Sequence, residues 1–164
     1  MKAETYMSIQ IGDTAPGFAL PYKPGKSIDI RESIGRDTIV LLFFPLAFSS
    51  VCTEEMCYFR DHWQEWEPLN AKVFGICVDS PFITEKFRQE ENIPFPILSD
   101  FNREVSAIYG SLHEELLGLK GVTKRAAFVI GEDGIVSYAW VSEDPSVQVN
   151  FEEVKTALGG DQEG

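Results

Sequence analysis

Two unbroken apolar runs constrain this chain more than anything else in it. Residues 37–44 read DTIVLLFF and residues 71–78 read AKVFGICV, without a polar residue from Ile39 in the first and from Val73 in the second. A strand with one wet face alternates apolar and polar residues. A run that is apolar at every position is buried on both faces and sits inside a sheet. Between the two runs lies a charged stretch, residues 50 to about 67, that reads as a helix. Two buried strands joined by a helix make a parallel pair, with the connection packed on one face of the sheet.

The rest of the chain extends that unit. Residues 8–36 carry turn signals at Gly12-Asp13, Pro16-Gly17 and Pro24-Gly25 around short strand-like pieces, a small N-terminal β-hairpin. SPFITEKFRQEE (80–91) reads as a helix with Ser80 as N-cap and Pro81 at its first position. FPIL is a short strand, and NREVSAIYG a short helix ended by Gly110. RAAFVIG and IVSYAWV, split by Glu132-Asp133-Gly134, form a second hairpin. NFEEVKTAL is a last helix capped by Asn150. The expected fold is α/β: a mixed central sheet flanked by helices, for which a thioredoxin-like arrangement is the simplest match. At 164 residues one domain is expected, over 8–160, with 161–164 as a disordered tail.

Composition removes several function classes. The formal charge of −12 argues against nucleic acid and anionic membrane surfaces as partners, since both require a basic face. No apolar run approaches the ~18 residues needed to span a bilayer. The N-terminal MKAETYMSIQ has no apolar core of a signal peptide. Three cysteines, an odd and low count, fit a reducing cytoplasm better than a secreted disulfide framework.

The chemistry concentrates in PLAFSSVCTEEMC, residues 45–57, where the first buried strand hands over to the helix. In open α/β sheets, sites form at the C-terminal ends of strands, beside helix N-termini. Cys52 falls in the first helical turn, where free N–H groups and the helix dipole favour a thiolate. Pro45 ends the strand's pairing. Ser49 and Ser50 are both good caps, and one of them is free to turn its hydroxyl toward the Cys52 sulfur. An inert buried cysteine beside ordinary capping serines remains open on these residues alone. Cys57 lies five residues on, which on an intact helix puts the Cα atoms roughly 8.6 Å apart, beyond the usual disulfide reach of about 7 Å. A 52–57 disulfide therefore requires the first turns to unwind. Cys77, in a buried-looking strand, reads as core. Zinc is disfavoured because Cys52, Cys57 and two scattered histidines do not make a four-ligand set. A cysteine hydrolase needs a histidine against the sulfur: His62 is roughly 15 Å along the helix, and only His113 in a loop stays open. The C-x-x-C of a thioredoxin-type dithiol is absent.

PLAFSSVC resembles the peroxiredoxin signature P-x-x-x-[ST]-x-x-C, with Pro45, Ser49 and Cys52 in the signature positions. The resemblance covers nearly the whole chain. IGDTAPGFAL is similar to the family's G-x-x-A-P-x-F-x-L opening. FFPLAF and FRDHW look like the alkyl hydroperoxide reductase E type, and CTEEMC like the Q type (bacterioferritin comigratory protein). FPILSDFNREVSAIYG and KRAAFVIGEDG match further segments of both. The resemblance implies a thiol peroxidase acting on hydrogen peroxide and organic hydroperoxides, without metal, haem or other cofactor. Cys52 would be the peroxidatic cysteine, and Cys57 would resolve its sulfenic acid as an intramolecular disulfide. A thioredoxin-like protein or small thiol would then restore the dithiol. Arg125 would stabilise the thiolate and hold the peroxide, with Lys124 as competitor; Glu55 would orient Arg125, and Arg60 is a candidate for the same polar cluster. A homodimer is expected, with Leu116, Leu117 and Leu119 available for the contact. The E type usually lacks a cysteine at position 57, so a one-cysteine mechanism with Cys57 idle stays open. The rivals from other classes are a thioredoxin-fold disulfide reductase and a non-catalytic binding module.

Overall fold

The computed structural model describes residues 9–159. The expected tail at 161–164, and the end residues 8 and 160 of the expected domain, lie outside that range. The N-terminal hairpin pairs β1 (Ala19–Lys23) with β2 (Lys26–Asp29). The central sheet is built from β3 (Ile39–Phe43), β4 (Lys72–Cys77), β5 (Ile97–Ser99), β8 (Ala126–Ile130) and β9 (Val136–Val141). Its order is β5-β4-β3-β8-β9. β3 runs parallel to β4 and β4 to β5, whereas β3–β8 and β8–β9 are antiparallel. This is the mixed sheet with flanking helices that the order of elements implies.

The two apolar runs are where they must be. Every residue of β3, and every residue of β4 after Lys72, is buried, because both strands are internal to the sheet and covered on both faces; β8 is buried throughout as well. On one face, Val40, Leu42 and Phe44 pack with Met56 and Phe59 of α1 (Ser50–Asp61), Phe87 of α3 (Pro81–Glu90) and Val154 of α5 (Phe151–Ala157). On the other, Ile39, Leu41 and Phe43 pack with Phe18 and Ile30 of the N-terminal segment and with Val105 of α4 (Glu104–Ile108). Each such aliphatic or aromatic side chain contributes about 1.5–3 kcal/mol by leaving water. Gly134, at φ +82°, makes the turn between β8 and β9 that a side chain would strain.

The helix expected over 50–67 is broken. α1 ends at Asp61, His62 leaves helical geometry (φ −113°, ψ 16°), and α2 (Trp63–Trp66) follows, then a 3-10 turn over Glu67–Leu69. The break lets Trp66 fold back onto Phe59, ring centroids 4.8 Å apart, inside the core. A small hairpin, β6 (Glu115–Leu116) with β7 (Leu119–Lys120), occupies what reads as a plain loop. Ser80 caps α3 by position without a side-chain hydrogen bond, while Asn150 accepts from Glu153 N–H at 3.1 Å.

Candidate active site

The site grows out of the end of β3. Phe44 still pairs, its N–H on the carbonyl of Ile76 at 3.0 Å, and the buried Pro45 then has no N–H to continue the ladder. The chain turns sharply. Ala47 donates its N–H to Asp79 Oδ2 at 2.7 Å, and Phe48 takes a left-handed conformation, φ 68°. That conformation costs an ordinary residue about 1–2 kcal/mol; the tie to Asp79 and the contact of its ring with Phe87, at 5.1 Å, hold it there. Ser49 is the N-cap of α1 by backbone geometry. Its hydroxyl donates to the carbonyl of Leu46 at 2.8 Å and caps nothing, so its lone pairs stay available as acceptors.

Cys52 is the third residue of α1, fully buried, with its sulfur 3.3 Å from Nη2 of Arg125. Arg125 directly precedes β8. Phe43 and Ala126 are register partners in the antiparallel β3–β8 pair, so the residues after β3 and before β8 emerge at the same end of the sheet. The guanidinium is 1% exposed and held from two more sides. Nη1 donates to Glu55 Oε1 at 2.5 Å, and Nε and Nη2 both donate to the carbonyl of Pro145, at 3.1 and 2.9 Å. Burial works against the charge of Arg125, but Glu55 and the Cys52 sulfur outweigh it and raise its pKa. Burial pushes the carboxyl of Glu55 up to about 7, with Arg125 pulling the other way. Its Oε2 is buried without a partner among the described residues.

A cavity of about 210 Å³ lies beside this cluster. Pro45, Ser49, Val51 and Arg125 line it, with Leu116 and Leu117 of the small hairpin across from them. Cys52, fully buried, is not in its lining and lies behind Arg125; larger hollows, of about 580 Å³ beside Trp63 and Phe95 and about 720 Å³ beside His113, include neither Ser49 nor Arg125. Pro45, Ser49, Cys52, Glu55 and Arg125 therefore come together in one place. Cys57 does not join them. It faces the far end of α3 and donates to Glu91 Oε1 at 3.3 Å. Arg60 also goes there, with Nη1 on the Glu91 carbonyl at 2.9 Å, not into the Cys52 cluster. Lys124 pairs with Glu143 at 2.7 Å, which leaves Arg125 as the cation on the sulfur. Cys77 ends β4 buried in the core, its thiol 3.6 Å from Asp79 Oδ2, and burial pushes its pKa well up. His62 bonds Tyr58 O through Nδ1, and His113 lines the separate 720 Å³ hollow. Two parts were not legible in the sequence: the Pro145 carbonyl and the Asp79 carboxylate. Asp144-Pro145 signals a turn, but nothing in a residue pattern says where a backbone carbonyl will point.

Residues 11–139 match the AhpC/TSA family. The chain belongs to the AhpC/TSA family. A relative described as "Putative peroxiredoxin bcp", of Coxiella burnetii, is 35% identical over 147 residues, covering 88% of this chain and 93% of that protein. Alkyl hydroperoxide reductase E of Mycobacterium bovis is 31% identical over 142 residues, 85% of this chain and 90% of that one. The crystal structure of peroxidoxin BcpB from Mycobacterium tuberculosis superposes with a TM-score of 0.78 at 30% identity, covering 94% and 97% of the two chains. As an AhpC/TSA protein with the peroxiredoxin fold, this chain is an enzyme, a thiol peroxidase.

Proposed function

We propose that Cys52 is the peroxide-reactive thiol and that Cys57 resolves it. The observation that carries the reading is the 3.3 Å approach of Arg125 to the Cys52 sulfur, with the guanidinium fixed by Glu55 and Pro145. A fixed cation that needs no reorganisation is the arrangement that stabilises charge as it develops. The thiolate attacks one peroxide oxygen, the O–O bond breaks, and the other oxygen leaves as alcohol or water after taking a proton. Arg125 and the first N–H groups of α1 face the developing negative charge. Ser49 Oγ, its own proton given to Leu46, accepts from the hydroperoxide O–H. Cys57 then condenses with the Cys52 sulfenic acid, forming the S–S bond and releasing water.

The substrates in this reading are hydrogen peroxide and organic hydroperoxides, the reductant is a thioredoxin-like protein or a small thiol, and the enzyme works in the cytoplasm as a homodimer. Pro45 shapes the pocket and Glu55 orients Arg125. Hydroperoxide consumption with a dithiol reductant tests it. Wild type should turn over and Cys52→Ser should not; more than a few per cent of the wild-type rate in the variant removes Cys52 from the role.

One observation favours a second reading, the one-cysteine mechanism. α1 is unbroken from Ser50 to Asp61, and Cys57 is bonded away from Cys52. Peptide mapping after one equivalent of peroxide decides between them. A 52–57 disulfide supports resolution by Cys57, and a lasting sulfenic acid with free Cys57 supports the one-cysteine route.

A further inference from the structure

Cys57 is held by another helix. Its thiol donates to Oε1 of Glu91, the residue that caps the C-terminus of α3. Arg60, one turn further along α1, grips the same residue twice: Nη1 donates to the Glu91 carbonyl at 2.9 Å and lies 3.6 Å from Oε1. The carbonyl at a helix end lacks an intrahelical partner, so Arg60 supplies a bond that α3 cannot make itself. Three contacts thus tie the middle of α1 to the end of α3 through one side chain and its backbone. A disulfide between Cys52 and Cys57 cannot form until the thiol leaves Glu91 and the turns between the cysteines open. We propose that Glu91 and Arg60 are positioning residues that latch the resolving thiol, and so set how long the Cys52 sulfenic acid survives. This inference rests on the two-cysteine reading.

The chemistry gives the latch a direction. While it is closed, a second hydroperoxide can attack the sulfenic acid, giving a sulfinic acid and alcohol or water. A tighter latch therefore favours over-oxidation, and a looser one favours the disulfide. The charged groups facing Cys57 are Glu91 from α3 and Arg60 and Asp61 from α1. Burial and the Glu91 bond hold the thiol's pKa up, with Arg60 opposing. The latch needs the protonated thiol as donor. It is therefore whole at neutral pH and lost as pH rises through the raised pKa, where the thiolate meets the Glu91 carboxylate.

Glu91→Ala tests the proposal with four readings. In the reduced enzyme, iodoacetamide should label Cys57 about threefold to tenfold faster, the scale of one lost hydrogen bond. Stopped-flow oxidation of Cys52 should stay within about twofold, disulfide closure should accelerate by a similar threefold to tenfold, and sulfinic acid at excess peroxide should fall. Glu91→Gln, which keeps an acceptor for the thiol, should restore slow labelling at neutral pH. Labelling and closure unchanged in Glu91→Ala would overturn the latch. Slower closure would overturn it too, since Glu91 would then be assisting Cys57. A wild type that forms no 52–57 disulfide would instead remove the two-cysteine reading, and the Cys57 labelling rates would still judge the latch.

Discussion

Arg125 carries the most chemistry per side chain in this molecule. It is buried, three of its nitrogens are engaged, and one of them lies on the Cys52 sulfur. Arg125→Ala should slow Cys52 oxidation by about 10²-fold, or about 3 kcal/mol, the usual scale for one lost transition-state donor. Stopped-flow fluorescence reads this step, and a rate within about threefold of wild type would assign the stabilisation to another group. Glu55 allows a test by pH. Its folded-state pKa is raised from 4.5 to about 7, so its contribution to stability is full below the unfolded value and is lost as pH climbs through the folded one. Unfolding free energy of wild type should fall relative to Glu55→Gln between pH 4.5 and about 7; parallel curves would show a carboxylate kept ionised by Arg125. At this scale legibility followed sequence distance. The Pro45, Ser49, Cys52 spacing is local and visible in one stretch. Arg125 stands 73 residues from Cys52, and only the family pattern in KRAAF singles it out. The Pro145 carbonyl acts through backbone geometry, which leaves no mark on residue type, and the Asp79 carboxylate meets the Ala47 N–H 32 residues away in the chain.

Among the elements, α1 is the one the chemistry has to spend. Reduced, it holds Cys52 in its first turn and Cys57 against Glu91. Oxidised to a 52–57 disulfide, it must lose those turns, because an intact helix keeps the Cα atoms roughly 8.6 Å apart. Helix ends open at low free-energy cost, and the β-branched Val51 and Thr53 weaken this one slightly. One equivalent of peroxide should therefore raise amide hydrogen exchange across residues 50–58. Cys57→Ser should still reduce one equivalent and then stall as sulfenic acid or over-oxidise, which mass spectrometry reads directly. The capping serines located the start of α1 well, while the single helix expected to about residue 67 missed its end at Asp61. Periodicity continues through Trp63 and Trp66, but packing of Trp66 on Phe59 demands a bend that periodicity cannot encode. The β6–β7 hairpin escaped for a related reason: two residues per strand are too few to alternate.

At the scale of the whole molecule, the sheet order decides everything the site contains. The continuous apolar runs and the later hairpin announced that sheet, since strands buried on both faces have few other places to go. What sequence periodicity left open was which strands would be neighbours. Setting β8 antiparallel beside β3 brings Arg125 to Cys52. The same end of the molecule exposes Leu117 at 86% and Leu119 at 47%, an apolar rim beside the cavity. If that rim is the dimer contact, Leu117→Glu should convert a dimer to a monomer in sedimentation velocity; a wild type that is already monomeric removes the dimer. The distance along the chain between Cys52 and Arg125 also has a consequence in time. A ribosome adding about 5–20 residues per second makes Cys52 roughly 4–15 s before it makes Arg125. Through that interval the thiol has no guanidinium beside it, and it stays so until β8 docks against β3. If Cys52 is the reactive thiol, the newborn chain carries it as an ordinary cysteine through a cell that contains peroxide, and the last strands to arrive switch its reactivity on.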